Sequence, residues 1–367
     1  MKKVLIPVIL LILTGLTPLF AIDVKFTPPR FGGSSPIVDE INRQLENIFA
    51  QYESEIGNTI GFIDFNPRGL TGAFATSSVF ASTGATQRAY GGYELFAVTI
   101  GAMGGIKYPS NPFSAAGQIN NVFDNVENMD GISLGFNPQV INAQIGFNVS
   151  NILMDKLYLG LKLGYFKSGS DQITLSTPSI GVMANYQLLP RIRFPTGIIL
   201  WRGINLGTGL IYQNTNMEIG IPLPSKTQPL NILGFSVATM RIDSNLTMGF
   251  VKNTFTIPLE AMTSLRLLGL LNFSVGVGAD LGFGSADFRL TGKSTASFDN
   301  LPDFLNDPIQ NAGLSATTGG RSAPDLFNPK LMTGFGLSLG PVILDIPVTI
   351  YPLNNGYSLG VTLGFIP

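Results

Sequence analysis

The sequence contains no cysteine, which excludes disulfides, thiolate metal sites and a lipid-modified N-terminal cysteine. It also contains no histidine. An imidazole-activated Ser or Thr nucleophile, an Asp-His protease pair and a His metal site all need a residue this chain lacks, so no enzymatic activity and no cofactor or metal are expected. Charge is scarce: Asp, Glu, Lys and Arg make up 12% of the 367 residues, against about 25% in ordinary soluble proteins. A net charge of −1 supplies no basic face for nucleic acid. Also missing, beyond residue 21, is any run of about 18 apolar residues, so that part of the chain holds no candidate spanning helix.

What is present points to lipid. Mean hydropathy is +0.30, and glycine accounts for 43 residues, well above the usual share of about 7%. Apolar surface is abundant but finely divided. In lipid every backbone polar group must be paired internally, which only helices and closed barrels achieve, and losing the first leaves the second. Met1, Lys2 and Lys3 precede an uncharged segment from Val4 to Ala21, the layout of a secretory signal with cleavage expected after Ala21.

The internal evidence for a barrel is a set of segments, about nine to eleven residues long, in which large apolar side chains alternate with Gly or polar ones. In the last, Tyr357, Leu359, Val361, Leu363 and Phe365 alternate with Ser358, Gly360, Thr362 and Gly364. Before it, Val342, Leu344, Ile346, Val348 and Ile350 alternate with Ile343, Asp345, Pro347, Thr349 and Tyr351, and Asn354-Asn355-Gly356 offers the turn of a closing hairpin. The pattern recurs over 141–150, 157–165, 180–188 and 272–283, and more weakly near 93–105, 198–212, 231–243, 254–263 and 331–339, with further strands conceivable at 70–80 or 215–222. A soluble β-sandwich would carry Lys, Glu and Thr on its second face; here that face is mostly Gly, Ser and Asn. The expected architecture is therefore all-β, a transmembrane antiparallel barrel of about 12 to 14 strands over residues 91–367.

Three regions break the alternation. Residues 36–53 place Ile37, Ile41, Leu45, Ile48 and Tyr52 at helical spacing behind Ser35 and Pro36, a cap and first turn. Together with the Gly-, Ser-, Thr- and Ala-rich stretch that follows, this makes residues 22–90 a helical and irregular section, either a plug inside the lumen or a periplasmic element. Residues 108–131 and 293–330 have the composition of extramembrane loops, which outer-membrane barrels place outside.

Few residues single themselves out. By parity Lys162, Asp280 and Asp345 face the lumen, where a charge lines a permeation path or is paired in a buried network. Trp201, Arg202, Tyr212 and Tyr351 lie near expected strand ends and are assigned to the lipid interface as anchors. Gly276, Gly278 and Gly282 fall within an alternating strand and are small inward residues rather than a nucleotide-binding loop.

The closing hairpin from Val342 to Phe365 resembles those of outer-membrane barrel proteins of diderm bacteria, although Ile366 and Pro367 follow the terminal aromatic residue. A small-residue-rich helical section ahead of the barrel is similar in layout to the long-chain fatty acid transporter family. The resemblance implies outer-membrane lipid and the barrel-assembly machinery as partners. It also implies a channel or transporter for an unknown small solute, hydrophobic ones included. The alternative is a structural or adhesive surface protein acting through its loops, above all 293–330.

Overall fold

The computed structural model describes residues 24–60, 67–82, 95–108, 135–150, 152–170, 172–195, 198–232, 235–302, 305, 310–316 and 319–366. The expected signal segment and almost all of the 108–131 excursion lie outside the described residues. After a short strand, Val24–Thr27, the described residues form two helices, α1 (Pro36–Ile60) and α2 (Pro67–Ser82). Ten strands follow: β1 (Phe96–Lys107), β2 (Gly135–Asn148), β3 (Leu157–Tyr165), β4 (Ser179–Leu189), β5 (Ile199–Pro222), β6 (Phe235–Leu267), β7 (Leu271–Asp299), β8 (Phe327–Leu339), β9 (Val342–Tyr351) and β10 (Gly356–Phe365). Each pairs antiparallel with its sequence neighbours. β10 closes on β1, from Gly356 opposite Lys107 to Phe365 opposite Val98. The result is an up-and-down barrel without a free edge.

The ring has fewer strands than the 12 to 14 expected, for a simple reason. The segments near 198–212 and 215–222 belong to the single strand β5, those near 231–243 and 254–263 are joined through β6, and 70–80 is helix α2. Five short strands pair onto the ring's sheet, among them Lys226–Ile232 and Gly319–Ser322, while Val24–Thr27 pairs separately with Gly313–Ala316. The 293–330 excursion is therefore not all loop, since β7 runs to Asp299.

The alternation that defines the wall holds in detail. Leu359, Val361, Leu363 and Phe365 face outward on β10 while Ser358 and Thr362 are buried. Large apolar side chains stand exposed right round the ring, for example Ile100, Ile145, Leu161, Val182, Leu210, Leu259, Val277, Leu331, Leu344 and Val361. Such a continuous belt is unfavourable in water and costs nothing against lipid tails.

β6 and β7 are much longer than a bilayer requires. They pair from Leu267–Leu271 up to Thr239–Asp299, in strands of 33 and 29 residues, whereas about 9–11 tilted residues cross a membrane. Their pattern inverts where the excess begins. From Val251 toward the short turn, apolar groups such as Phe255, Leu259 and Leu265 face out while Thr254, Thr256 and Glu260 face in. Beyond Phe250 the apolar groups Met240, Ile242, Leu246 and Met248 turn inward, and Arg241 and Asn245 face solvent.

Helix α1 covers that inverted face. Ser35 caps it, its Oγ accepting from Val38 N at 3.2 Å. Ile41, Leu45, Phe49 and Tyr52 are buried against Leu230, Met240, Ile242 and Leu246. Phe49 takes the place expected for Ile48, and Ile37 is 40% exposed. Each such burial contributes about 1.5–3 kcal/mol. The Tyr52 hydroxyl donates to the Pro224 carbonyl at 2.7 Å, and burial pushes its phenol pKa up, keeping it a donor. A head with its own core thus stands at the long-strand end of the barrel. At the other end the connections 268–270 and 340–341 are short.

Where β7 leaves the membrane section, Gly284 has φ +123, and a Cβ there would meet Asn253 O at 2.0 Å. Gly284→Ala is expected to cost on the order of 1–3 kcal/mol, seen as a lowered urea midpoint of the refolded barrel; an unchanged midpoint would show that the bend is not needed.

Candidate functional site

The lumen is occupied by α2. Its sequence, PRGLTGAFATSSVFAS, is built of small residues, and from Thr71 to Ser82 almost every side chain is buried, on all faces of the helix. A ring of ten strands is only slightly wider than one that side chains alone would fill, so a helix fits only if it is slim. Its hydroxyls are satisfied locally: Thr71 Oγ1 donates to Arg68 O at 3.0 Å, Ser77 Oγ to Phe74 O at 2.9 Å and Ser82 Oγ to Val79 O at 2.8 Å. The helix therefore brings little polar demand to the wall.

The wall makes room for it. A Cβ on Gly135 would lie 1.9 Å from Ala73 O, one on Gly105 2.5 Å from Ser77 O, one on Gly282 2.8 Å from Val79 Cγ2, and one on Gly356 2.1 Å from the Phe80 ring. Glycine stands inside this half of the barrel because the helix approaches there, with its backbone at Gly135 and Gly105 and with the Val79 and Phe80 side chains at Gly282 and Gly356.

Two lysines hold the helix by its carbonyls. Lys162 on β3, buried, donates through Nζ to Ser82 O, the last carbonyl of α2, where a cation also meets the negative end of the helix dipole. Lys252 on β6 donates to Phe74 O at 3.1 Å and lies 5.2 Å from the Phe74 ring centroid. Aromatic contacts add to this: Phe74 stacks on Phe250 at 4.7 Å and Phe80 on Tyr351 at 3.8 Å. At the long-strand rim Asp325 N donates to Thr76 Oγ1 at 3.0 Å, and the Asp325 carboxylate pairs with Lys107.

Beside the helix sits a fully buried charge cluster. Lys330 on β8 bridges Glu260 on β6 and Asp280 on β7, with all three side chains 0–1% exposed. Tyr351 donates its hydroxyl to Asp280 Oδ2 at 2.8 Å. The chain Lys330–Asp280–Tyr351–Phe80 thereby runs from the wall to the plug helix. Asp345 is buried lower in the lumen, beside Met262, Ser274, Met332 and Thr349, at a small hollow with room for about one water molecule.

Lys162, Asp280 and Asp345 thus all point inward, yet they do not form one group. Trp201 lies at the short-turn end of β5, its Nε1 donating to Thr263 Oγ1 at 2.7 Å, with Arg202 half-buried next to it. Tyr212 packs on Phe255 at 4.9 Å and donates to Asn253 Oδ1 at 2.8 Å, where the outward face turns polar. Tyr351 is a correction. It is no interface anchor but is wholly buried in the lumen, as it shares the parity of Asp345 and Thr349. Glu260, Lys330, Lys252 and Phe80 were not singled out above. Glu260 and Lys330 carry the inward parity of Met262 and Met332, and following that parity for charged residues along every strand would have found both.

Comparison with known proteins assigns the family. A family model described as Lsa36-like matches residues 24–366. The chain belongs to the Lsa36-like family. No curated protein matches this Lsa36-like chain. Among solved structures, the translocator domain of autotransporter NalP from Neisseria meningitidis is 11% identical, over 75% of this chain and 89% of that one, at a TM-score of 0.27. A Pseudomonas aeruginosa FadL homologue is 10% identical over 82% and 98%, at 0.24. Ail, the attachment invasion locus protein of Yersinia pestis, is 12% identical over 74% and 96%, at 0.21. At such scores the Lsa36-like barrel rests on its own strand pairings, not on these likenesses.

Proposed function

We propose that this protein is an outer-membrane barrel kept shut by its own helix, which acts through the structured head at its long-strand end as a surface-interaction protein. The observation that carries this reading is α2 itself, buried on all faces in the lumen and held by Lys162, Lys252 and the Phe80–Tyr351 stack. An open pore has no use for a filled lumen, and a head with its own hydrophobic core exceeds what a channel rim requires. Outer-membrane lipid is the partner of the exposed apolar belt, and the barrel-assembly machinery is the insertion partner of the closing hairpin.

Passage of a small solute, hydrophobic or polar, is the second reading. It is favoured by the buried polar lining of Gln144, Asn185, Asn205 and Ser274, and it requires α2 to move. Planar-bilayer recording of the purified full-length protein separates the two. Insertion without steady conductance is expected; a continuously open channel would overturn the closed-barrel reading.

A further inference from the structure

We infer that the chain threads its own barrel, so that residues 24–60 stand on the outer face of the membrane as part of a surface-exposed head. The chain before α2 and the chain after it lie at opposite ends of one closed ring. An even number of strands puts both ends of the ring on the same side. β1 begins, and β10 ends at Phe365, at the end that also carries the short turns 268–270 and 340–341. Leu95 is fixed there, its carbonyl accepting from Asn148 N at 2.9 Å.

The chain before α2 is at the opposite end. Val24–Thr27 pairs with Gly313–Ala316, and α1 packs on Leu230, Met240 and Ile242 beyond the apolar belt. Between these two positions α2 descends through the lumen. Its first turns lie near Ser322 and Gly135 at the long-strand rim, and its last carbonyl meets Lys162 in the wall of β3. Lipid offers no path for an unpaired backbone around the outside of the barrel. The lumen is then the route by which the N-terminal section reaches the far side.

Which side is outward follows from general barrel construction, in which short turns face the periplasm and long excursions face the medium. The head, with α1 and the 12 paired positions of β6 and β7 from Thr239–Asp299 to Phe250–Phe288, therefore projects from the cell. Of the two locations that composition left open for residues 22–90, this assigns the described part to a plug, α2, and an exported head, 24–60. This inference rests on the outer-membrane reading, but it is independent of whether the barrel conducts.

The absence of native cysteine permits a direct test on intact cells. Single cysteines are placed at Gln51 on the solvent side of α1, at Leu353 in the β9–β10 turn (77% exposed) and at Leu153 between β2 and β3 (66% exposed). They are then treated with a membrane-impermeant maleimide. Gln51→Cys and Leu353→Cys are expected to label on intact cells to at least half the extent seen with detergent-extracted protein. Leu153→Cys is expected to label only once the outer membrane is permeabilised. Labelling of Leu353→Cys but not of Gln51→Cys on intact cells would overturn the threading. Labelling of Leu153→Cys alone on intact cells would overturn the outward orientation. Either result would leave the bilayer recording, and with it the closed-barrel reading, untouched.

Discussion

Lys330→Met is expected to destabilise the barrel by about 3–5 kcal/mol, the cost of removing one partner from a buried ionic network. The ammonium bridges Glu260 and Asp280, all three side chains being essentially without solvent contact. In this low-dielectric wall two carboxylates that lose their shared cation repel each other and lack its compensating hydrogen bonds. Neutralising them should restore much of the loss, because well-packed neutral groups of similar volume serve such a site as well as a buried pair does. Urea titration of protein refolded into detergent micelles, followed by the mobility difference between unheated and boiled samples, compares Lys330→Met with the triple variant Glu260→Gln, Asp280→Asn, Lys330→Met. Equal midpoints for Lys330→Met and the parent would remove this cluster from the account of what holds the wall together.

Phe80→Ala should loosen the plug rather than the wall. Truncating a buried phenylalanine costs about 3–5 kcal/mol through lost transfer energy and the void left behind. Phe80 stacks on Tyr351 at 3.8 Å and fills the space left by Gly356 and Gly105, so the loss falls on the helix–wall contact. Transient conductance bursts are expected from Phe80→Ala in planar bilayers where the parent is silent, with barrel stability close to normal. Phe80→Leu, which refills most of the volume, should stay silent. Bursts from Phe80→Leu as frequent as from Phe80→Ala would show that this contact does not hold the helix in place.

The wall was the legible part of the sequence. Parity placed Leu359, Val361 and Leu363 outside and Ser358 and Thr362 inside because every wall position has only two environments, and a strand alternates between them. Strand length was harder to see. In β6 the apolar set shifts from odd positions (Phe255, Leu259, Leu265) to even ones (Met240, Ile242, Leu246, Met248), and that change of phase marks the point where the strand leaves lipid and begins to pack beneath α1. Searched for uniform alternation, one strand of this kind divides into two weak ones.

Helix α2 was hidden for another reason. A helix buried on all sides in a narrow lumen has no polar face, so its small-residue sequence shows neither a helical stripe nor a clear strand period. Its fit depends on glycines more than 20 residues away in the chain, such as Gly105, Gly135 and Gly356. In the sequence they are indistinguishable from the other small inward residues of a barrel. Tyr351 was misplaced because nearness to a strand end was given more weight than parity, and parity decides which side of the wall a side chain meets.

The central claim is that α2 is seated inside the ring, and a cross-link tests it most directly. A Cβ built on Gly72 lies 3.7 Å from Cβ of Ser322, within the range a disulfide spans. In this cysteine-free chain the pair Gly72→Cys, Ser322→Cys should oxidise in native membranes before any detergent is added, giving a faster band on a non-reducing gel that reductant abolishes. If both thiols instead remain free to alkylation in folded, membrane-inserted protein, the helix is not held in the lumen, and the account of a barrel closed by its own chain is wrong.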